Sequence, residues 1–501
     1  MLFIFYIKKS KKTTFFYNYL FFIIHNGKIF KYDFYKGVFN MKKIFNEKLF
    51  TAIIISSTFA FPIFQTIGIF FKIDFFLQEE FLSLVGALCT FFTLIYLVFF
   101  YKKNTEKKIV LSDIFILTSI IFCIISIIFS KCIKLSLTGF GNYSETPLQV
   151  LGYFSLFFIC SNITENQNKK SILYSLLFLG IIEAIVAFLQ NFSLWPVTSY
   201  CDPEWHIKDH LAFGFTQHCN FFAPIAIIFT ALYATKFIYS KTTKEKFFCL
   251  LFSIVCCLSI LFTYTRIGWV GIISILLGIM FLDVSLYTCK KDKATLKKHI
   301  KRYLVILFSF TICVIVVGSI SCQLQHDIEE SKKELYSDSF NSFGTNRGKI
   351  WMAGLGALKK FPFTGVGFDI YSFSFSINPQ YGFSTQNKGH NEYIHTLVTQ
   401  GIFSGINYLA FVFYCCYFSY KKIIKGSDEY SKSDTTKFFL IAVFAYFVQA
   451  LFNSSVTNVA VYKWILMGLL LTRHEQKNLI PMFKKIIKTC NTPVVFSKGQ
   501  K

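Results

Sequence analysis

Charge is scarce in this chain. Asp, Glu, Lys and Arg make up 16% of its 501 residues, against roughly 25% in soluble domains. So few charges would not cover a globular surface, which excludes an ordinary soluble enzyme. Glycine (26) and proline (9) are too few for a collagenous or Pro/Gly-rich disordered chain. Acidic residues are outnumbered, 27 against 52 Lys and Arg, for a formal net charge of +25. The 15 cysteines form no CxxC pair and no Cys/His cluster of metal-ligand spacing, so neither a metal site nor a disulfide scaffold is expected. Cys201 and Cys219 flank one loop and could pair or stay as free thiols. What the chain does have is 54% hydrophobic residues, 65 of all its residues being Phe. They lie in runs of about 20, the length that crosses a ~30 Å hydrocarbon core. The chain reads as an all-α polytopic membrane protein. Its basic excess reports orientation rather than nucleic-acid binding.

Twelve membrane helices are predicted, at about 49–71, 81–100, 110–129, 146–163, 171–190, 219–238, 246–264, 267–286, 302–322, 401–420, 437–455 and 457–473. The charge pattern supports this spacing. Alternate connections, starting from Met41, carry 32 Lys and Arg, whereas the intervening set carries 12 against 14 Asp and Glu. The basic set should face the cytoplasm, which puts both termini on the cytoplasmic side of the membrane. The chain then divides into helices 1–9 (41–322), a large outer loop (323–400) with short helices, helices 10–12 (401–473) and a basic cytoplasmic tail (474–501). Residues 1–40 hold seven Lys and no signal cleavage site. They read as a poorly ordered extension, or as lying upstream of a natural start at Met41.

Two outer connections are long, 191–218 and 323–400. Loops beyond about 15 residues are usually functional. Chemistry is therefore expected on the extracytoplasmic side, where nucleotide-activated donors are absent and a lipid-borne donor is needed.

Within Thr263-Tyr-Thr-Arg-Ile-Gly-Trp269, Arg266 is the one charge between Lys246 and Asp283. An Arg near a membrane marks a partner or pathway, or snorkels to lipid phosphates. In Asn341-Ser-Phe-Gly-Thr-Asn-Arg-Gly-Lys-Ile-Trp351, Thr345 or Asn346 suits a helix N-cap. Arg347 would sit in the first turn, with Trp351 one turn later. An Arg at a helix amino terminus favours an anion such as phosphate, and a loop helix lying on the membrane is the alternative. Phe361-Pro-Phe-Thr-Gly-Val-Gly-Phe368 reads as a turn, not a nucleotide fingerprint. His390, in Gly389-His-Asn-Glu-Tyr-Ile-His395, lies at the outer water boundary. It could accept a proton or be structural. Glu392 reads as solvated. The segment Phe213-Gly-Phe-Thr-Gln-His-Cys-Asn220 opens a span, with Asn220 as its cap and His218 left open. Lys463, inside the last predicted span, could snorkel, the preferred reading, or neutralise a buried anion.

The order of these motifs resembles the O-antigen ligase and O-antigen polymerase superfamily. They run Gly-Phe-x-x-x-x-Asn, Thr-x-Thr-Arg-x-Gly-Trp, Asn-Arg-x-x-x-Trp, Pro-x-x-Gly-Val-Gly-Phe and His-Asn-Glu-Tyr…Gly-Ile, over about 205–420. The resemblance implies a GT-C-like membrane glycosyltransferase. It would move a glycan from a polyprenyl diphosphate carrier to an extracytoplasmic acceptor lipid or glycan, without metal or nucleotide cofactor. It also implies that Arg266 and Arg347 hold the diphosphate and that His390 acts as base or positions the acceptor. Thr265, Trp351, Asn391, Asn220 and His218 would bind substrate. Thr265 stands where the family usually has Ser and keeps the hydroxyl. Gln217-His-Cys-Asn220 departs from the family's Asn-Pro-Asn, so only Asn220 transfers directly. No carboxylate pair suits double displacement.

The acceptor stays open: lipid A-core for a ligase, a growing polysaccharide for a polymerase, or a protein side chain for an oligosaccharyltransferase. A flippase or transporter would be expected to show internal repeats and midplane charges, and neither is found.

Overall fold

The computed structural model describes residues 47–71, 108–140, 143–195, 210–216, 218–321, 340–382, 387–426 and 435–482, with a few single positions between them. The span expected at 81–100 and the extension 1–40 lie outside the described residues, as does Cys201.

All secondary structure among the described residues is helical. The main helices are α1 Glu47–Phe71, α2 Leu111–Ile128, α3 Ile133–Thr138, α4 Pro147–Ser161, α5 Asn166–Asn191, α6 Cys219–Tyr239, α7 Thr243–Leu261, α8 Arg266–Lys290 and α9 Lys293–Ile320. The large-loop region adds α10 Phe343–Lys360, α11 Phe373–Ile377 and α12 Glu392–Gln400. The chain continues with α13 Ile402–Lys425, α14 Thr435–Gln449 and α15 Thr457–Leu470.

Among the described residues six helices are long and apolar enough to cross a membrane: α2, α5, α6, α8, α9 and α13. The expected count of about twelve is not confirmed. Two of the expected spans come out short. Helices α4 and α14 have 15 residues each, about 22 Å at 1.5 Å per residue, short of a ~30 Å core. Helix α7 opens on Lys244, Glu245 and Lys246.

Helix α6 is the hub. Its apolar stretch is wholly enclosed, and it packs against α5, α7, α8, α14 and α15. The outer helices α2 and α9 stay mostly exposed, as lipid-facing helices do. Arg302 of α9 closes the C-terminal end of α6 by donating to the carbonyls of Phe237, Ile238 and Ser240. Arginine is suited to those orphan carbonyls by its fork of donors.

Two prolines inside helices have matched partners. Proline lacks an N–H, so it frees the carbonyl four residues earlier. Pro224 in α6 frees the Asn220 carbonyl, which accepts from Asn453 Nδ2 at 2.6 Å. Pro62 in α1 frees the Thr58 carbonyl, which accepts from the Tyr462 hydroxyl at 3.3 Å. Both donors come from the α14–α15 hairpin, so that hairpin is fitted to both bends.

The loop region is built on a second, smaller core. Ile350, Trp351, Ala353 and Ala357 of α10 pack with Val366, Ile370, Tyr371, Phe375 and Val398. The Phe361–Phe368 segment is a turn, as expected. It closes onto the far end of α12 through Val366 N–H to the Val398 carbonyl (2.9 Å) and Ile402 N–H to the Pro362 carbonyl (2.8 Å).

Candidate active site

The segment before α6 is drawn into the bundle by α5. Gln190 Oε1 accepts from the N–H groups of Phe213 and Gly214, and its Nε2 donates to the Gly214 carbonyl. Glu183 Oε2, buried in α5, accepts from Phe215 N–H. Three amide dipoles are thus satisfied by two polar side chains reached from one helix face. This sets the height of His218. That residue, not Asn220, is the N-cap of α6: its Nδ1 accepts from Asn220 N–H at 3.1 Å. Asn220 contributes backbone, and the expected cap is shifted by two residues.

Helix α10 is assigned from Phe343, but Gly344 and Asn346 have left-handed backbone (φ +63° and +66°). Regular helix therefore opens at Arg347, close to the expected start. Trp351, one turn on, is buried, and its Nε1 donates to the Gly389 carbonyl at 2.9 Å. Its ring is shared with Phe340, Phe343 and Phe452, so it anchors the protein and does not lie on a membrane surface.

His390 follows immediately. It has φ +46°, a conformation L-residues rarely hold. Such strain costs on the order of 1–3 kcal/mol and persists where the surroundings over-determine it. Burial pushes its imidazole down to about 3, helped by the positive charge of Arg347 and by His218 and His395. Arg347 and His218, from two other stretches of chain, thus both bear on the charge of His390. Tyr143 packs edge-on against His218 with ring centroids 6.1 Å apart. His390 is half-buried, with its Nδ1 shielded by protein.

Asn391 is the N-cap of α12. Its Oδ1 accepts from Tyr393 and Ile394 N–H, and its Nδ2 donates to the Leu451 carbonyl at 2.8 Å. Glu392 corrects the sequence reading most sharply. It is buried and ion-paired to Lys463, and it accepts from the Tyr408 and Tyr446 hydroxyls. Burial works against its charge, but Lys463 and the tyrosines hold the carboxyl below its usual range. Lys463 therefore neutralises a buried anion and does not snorkel. Its charge has a partner 71 residues away, a distance no sequence period reveals.

Arg266 is the first residue of α8, with Thr265 at the N-cap position. Thr265 is buried and its hydroxyl lies 2.9 Å from that of Thr263, after a left-handed Tyr264 (φ +47°). Asn191 at the end of α5 donates to the Tyr264 hydroxyl, which ties this turn to the start of the 210–216 segment.

A second polar group was missed in the sequence. Asp369 accepts from Lys388 Nζ (2.8 Å) and from Glu145 N–H (2.6 Å), and it pairs with His395 Nε2 (2.8 Å). Lys388 also reaches Glu145 at 3.3 Å. Burial resists the Asp369 charge, but Lys388 and His395 keep its carboxyl below the usual range. A cavity of about 100 Å³ lies between the two ionic groups, lined by Glu145, Asp369, Glu392, His395, Tyr408 and Lys463 among others. Arg266, Arg347 and His390 do not line it. No metal-holding group of three or more His, Cys, Asp or Glu occurs among the described residues.

Residues 251–409 match the O-antigen ligase family model. This stretch is similar to the O-antigen ligase family, which supports the O-antigen ligase/polymerase superfamily. The matched O-antigen ligase stretch contains Thr265, Arg266, Arg347, Trp351, His390 and Asn391. His218 and Asn220 fall before it and Lys463 after it. The similarity supports ligase- or polymerase-type transfer as the general class of activity. No curated protein matches the chain.

Proposed function

We propose that this chain is a membrane-embedded glycosyltransferase. It moves a glycan from a polyprenyl diphosphate carrier onto an extracytoplasmic acceptor, lipid A-core or a growing polysaccharide. The observation that carries the reading is that Arg347, inside the stretch that matches the O-antigen ligase model, and His218, before that stretch, both bear on the His390 imidazole.

Diphosphate is the leaving group and gains negative charge as the bond to the sugar breaks. Guanidinium groups bind it bidentately and favour that developing charge. In this reading Arg347, and Arg266 from the turn before α8, serve that role without a metal ion. Trp351, Thr265 and the His218–Asn220 cap border the donor, and Asn391 sets the direction of α12. His390 supplies a neutral imidazole to orient the acceptor hydroxyl and take its proton. The low basicity of His390 in the resting protein gives the donor a second task. A diphosphate on Arg347 offsets the positive charge that holds His390 down, so proton transfer waits for donor binding. The outer face of a bacterial cytoplasmic membrane, with both termini inside, suits a lipid-borne donor.

Purified protein in lipid vesicles, given a polyprenyl diphosphate-linked glycan and separately lipid A-core, a second lipid-linked repeat and an acceptor protein, tests the reading. Transfer to one of the first two supports it. Transfer to the protein alone shifts the assignment to an oligosaccharyltransferase. Movement of the intact lipid-linked glycan across the vesicle without any transfer replaces it by a flippase.

A further inference from the structure

His395 stands five residues after His390, a step that turns it off that face of a helix. The structure gives it two partners. Its Nδ1 accepts from the Gly389 N–H at 3.3 Å, and its Nε2 meets Asp369 Oδ1 at 2.8 Å. With Nδ1 accepting, the ring proton lies on Nε2 and is donated to Asp369. Both nitrogens are occupied, so His395 is not placed to exchange protons with a substrate.

What the ring does hold is the peptide before His390. The Gly389 N–H goes to His395, and its carbonyl goes to Trp351 Nε1 at 2.9 Å. A side chain at 389 is excluded: a Cβ would come within 2.8 Å of the Tyr371 ring. That ring in turn stacks on His395 with centroids 5.6 Å apart and an 11° interplanar angle. Space for Tyr371 exists because Gly354 of α10 lies against its hydroxyl.

The neighbouring residues are fastened to the same point. Asn387 Nδ2 donates to the Asp369 carbonyl at 2.6 Å, and Lys388 Nζ pairs with the Asp369 carboxylate. On the other side, Asn391 caps α12 and Glu392 is locked by Lys463. Residues 387, 388, 389, 391 and 392 are thus each fixed by a side-chain bond. Between them stands His390, in a left-handed conformation that needs such support.

We propose that His395 is a positioning residue, which ties the Gly389 peptide to the buried Asp369–Lys388–Glu145 group and so holds His390 in its strained, reactive placement. The proposal rests on the glycosyl-transfer reading for its kinetic consequence, but its geometric consequence needs no substrate. Displacing a catalytic group by about 1 Å costs on the order of 10²-fold in rate.

Three variants of the full chain in lipid vesicles separate the two bonds. His395→Asn keeps an amide oxygen near the Nδ1 place, within reach of Gly389. His395→Gln keeps a donor near the Nε2 place, within reach of Asp369. His395→Ala keeps neither. Two readouts are taken: kcat and KM for lipid-linked glycan, and carbethoxylation of His390 read by mass spectrometry without substrate. The expected result is a fall in kcat on the order of 10²-fold for Ala and Gln with donor KM little changed. Asn should recover most of the rate. Carbethoxylation of His390 should rise in Ala and Gln and stay low in Asn. Wild-type kcat and unchanged His390 labelling in the Ala variant would overturn the proposal, and so would an Asn variant no better than Gln. If Ala fails to fold, the Asn–Gln comparison decides. If the wild-type chain transfers no glycan, the transfer reading falls, and the labelling pattern alone still judges the role of His395.

Discussion

A neutral imidazole is what burial and Arg347 leave at position 390. Since His390 is held down to about 3, it stays uncharged throughout pH 5–8. The kcat/KM profile for donor should therefore show no His390 limb in that range, because kcat/KM reports the free protein. A limb near pH 6.5 in wild type that vanishes in His390→Gln would contradict that lowered basicity. The same shift has a stability consequence with a definite sign. The unfolded His titrates near 6.5, so the unfolded chain binds the proton first. Above that pH His390 takes nothing from stability, and below it the folded state loses ground as pH falls toward 3. Thermal unfolding in detergent at pH 7 and pH 5 should show a smaller loss for His390→Gln than for wild type. In the transfer assay, His390→Ala should lower turnover by about 10²–10⁴-fold, the usual cost of losing a general base. Lipid-donor binding should survive, because the arginines hold the donor. Near-normal turnover would leave His390 a structural role only.

Helices in this molecule are joined where their own hydrogen bonding is incomplete. Pro224 leaves the Asn220 carbonyl to Asn453, and His218 takes the Asn220 N–H, so both halves of one residue's backbone are served by side chains. Asn453→Ala should leave that carbonyl unserved and cost about 1–3 kcal/mol, measured by chemical unfolding in detergent. A neutral result would mean another donor takes over. The Glu392–Lys463 pair is the larger liability. Lys463→Met leaves a carboxylate buried with only tyrosine hydroxyls, and breaking such a pair typically costs about 3–5 kcal/mol. The double variant Glu392→Gln, Lys463→Met should recover a large part of that loss. If the double variant is no more stable than Lys463→Met, the two charges do not depend on each other.

Across the whole molecule, the distribution of basic residues and the placement of the loop region make one topological statement. Reporter fusions after Ser339 and after Lys477 should report opposite compartments. The same compartment for both would require an odd change in the number of crossings between them. A long apolar helix is a local property, which is why the helices α1, α2 and α5–α15 lie close to where hydropathy and charge placed spans and loop helices. Membrane crossing also depends on length, and α4 and α14 are too short for a flat ~30 Å slab. They sit inside the bundle, where neighbouring helices rather than lipid serve their ends.

The chain's composition and patterning determined its class, the positions of most helices, and the order Arg266, Arg347, His390 that resembles a lipid-linked glycan transferase. These follow from hydropathy, charge and short-range spacing, each legible within a few residues. The tertiary structure alone decided which charges meet. Glu392 read as solvated and Lys463 as snorkelling, yet each has the other as partner. No spacing marks His395 as a partner of Asp369, yet it links Gly389 to that aspartate, 26 residues before it. The physical reason is that a buried charge is stabilised by whatever lies within a few ångströms. Helices crossing a membrane bring together residues whose separation along the chain carries no trace of that proximity.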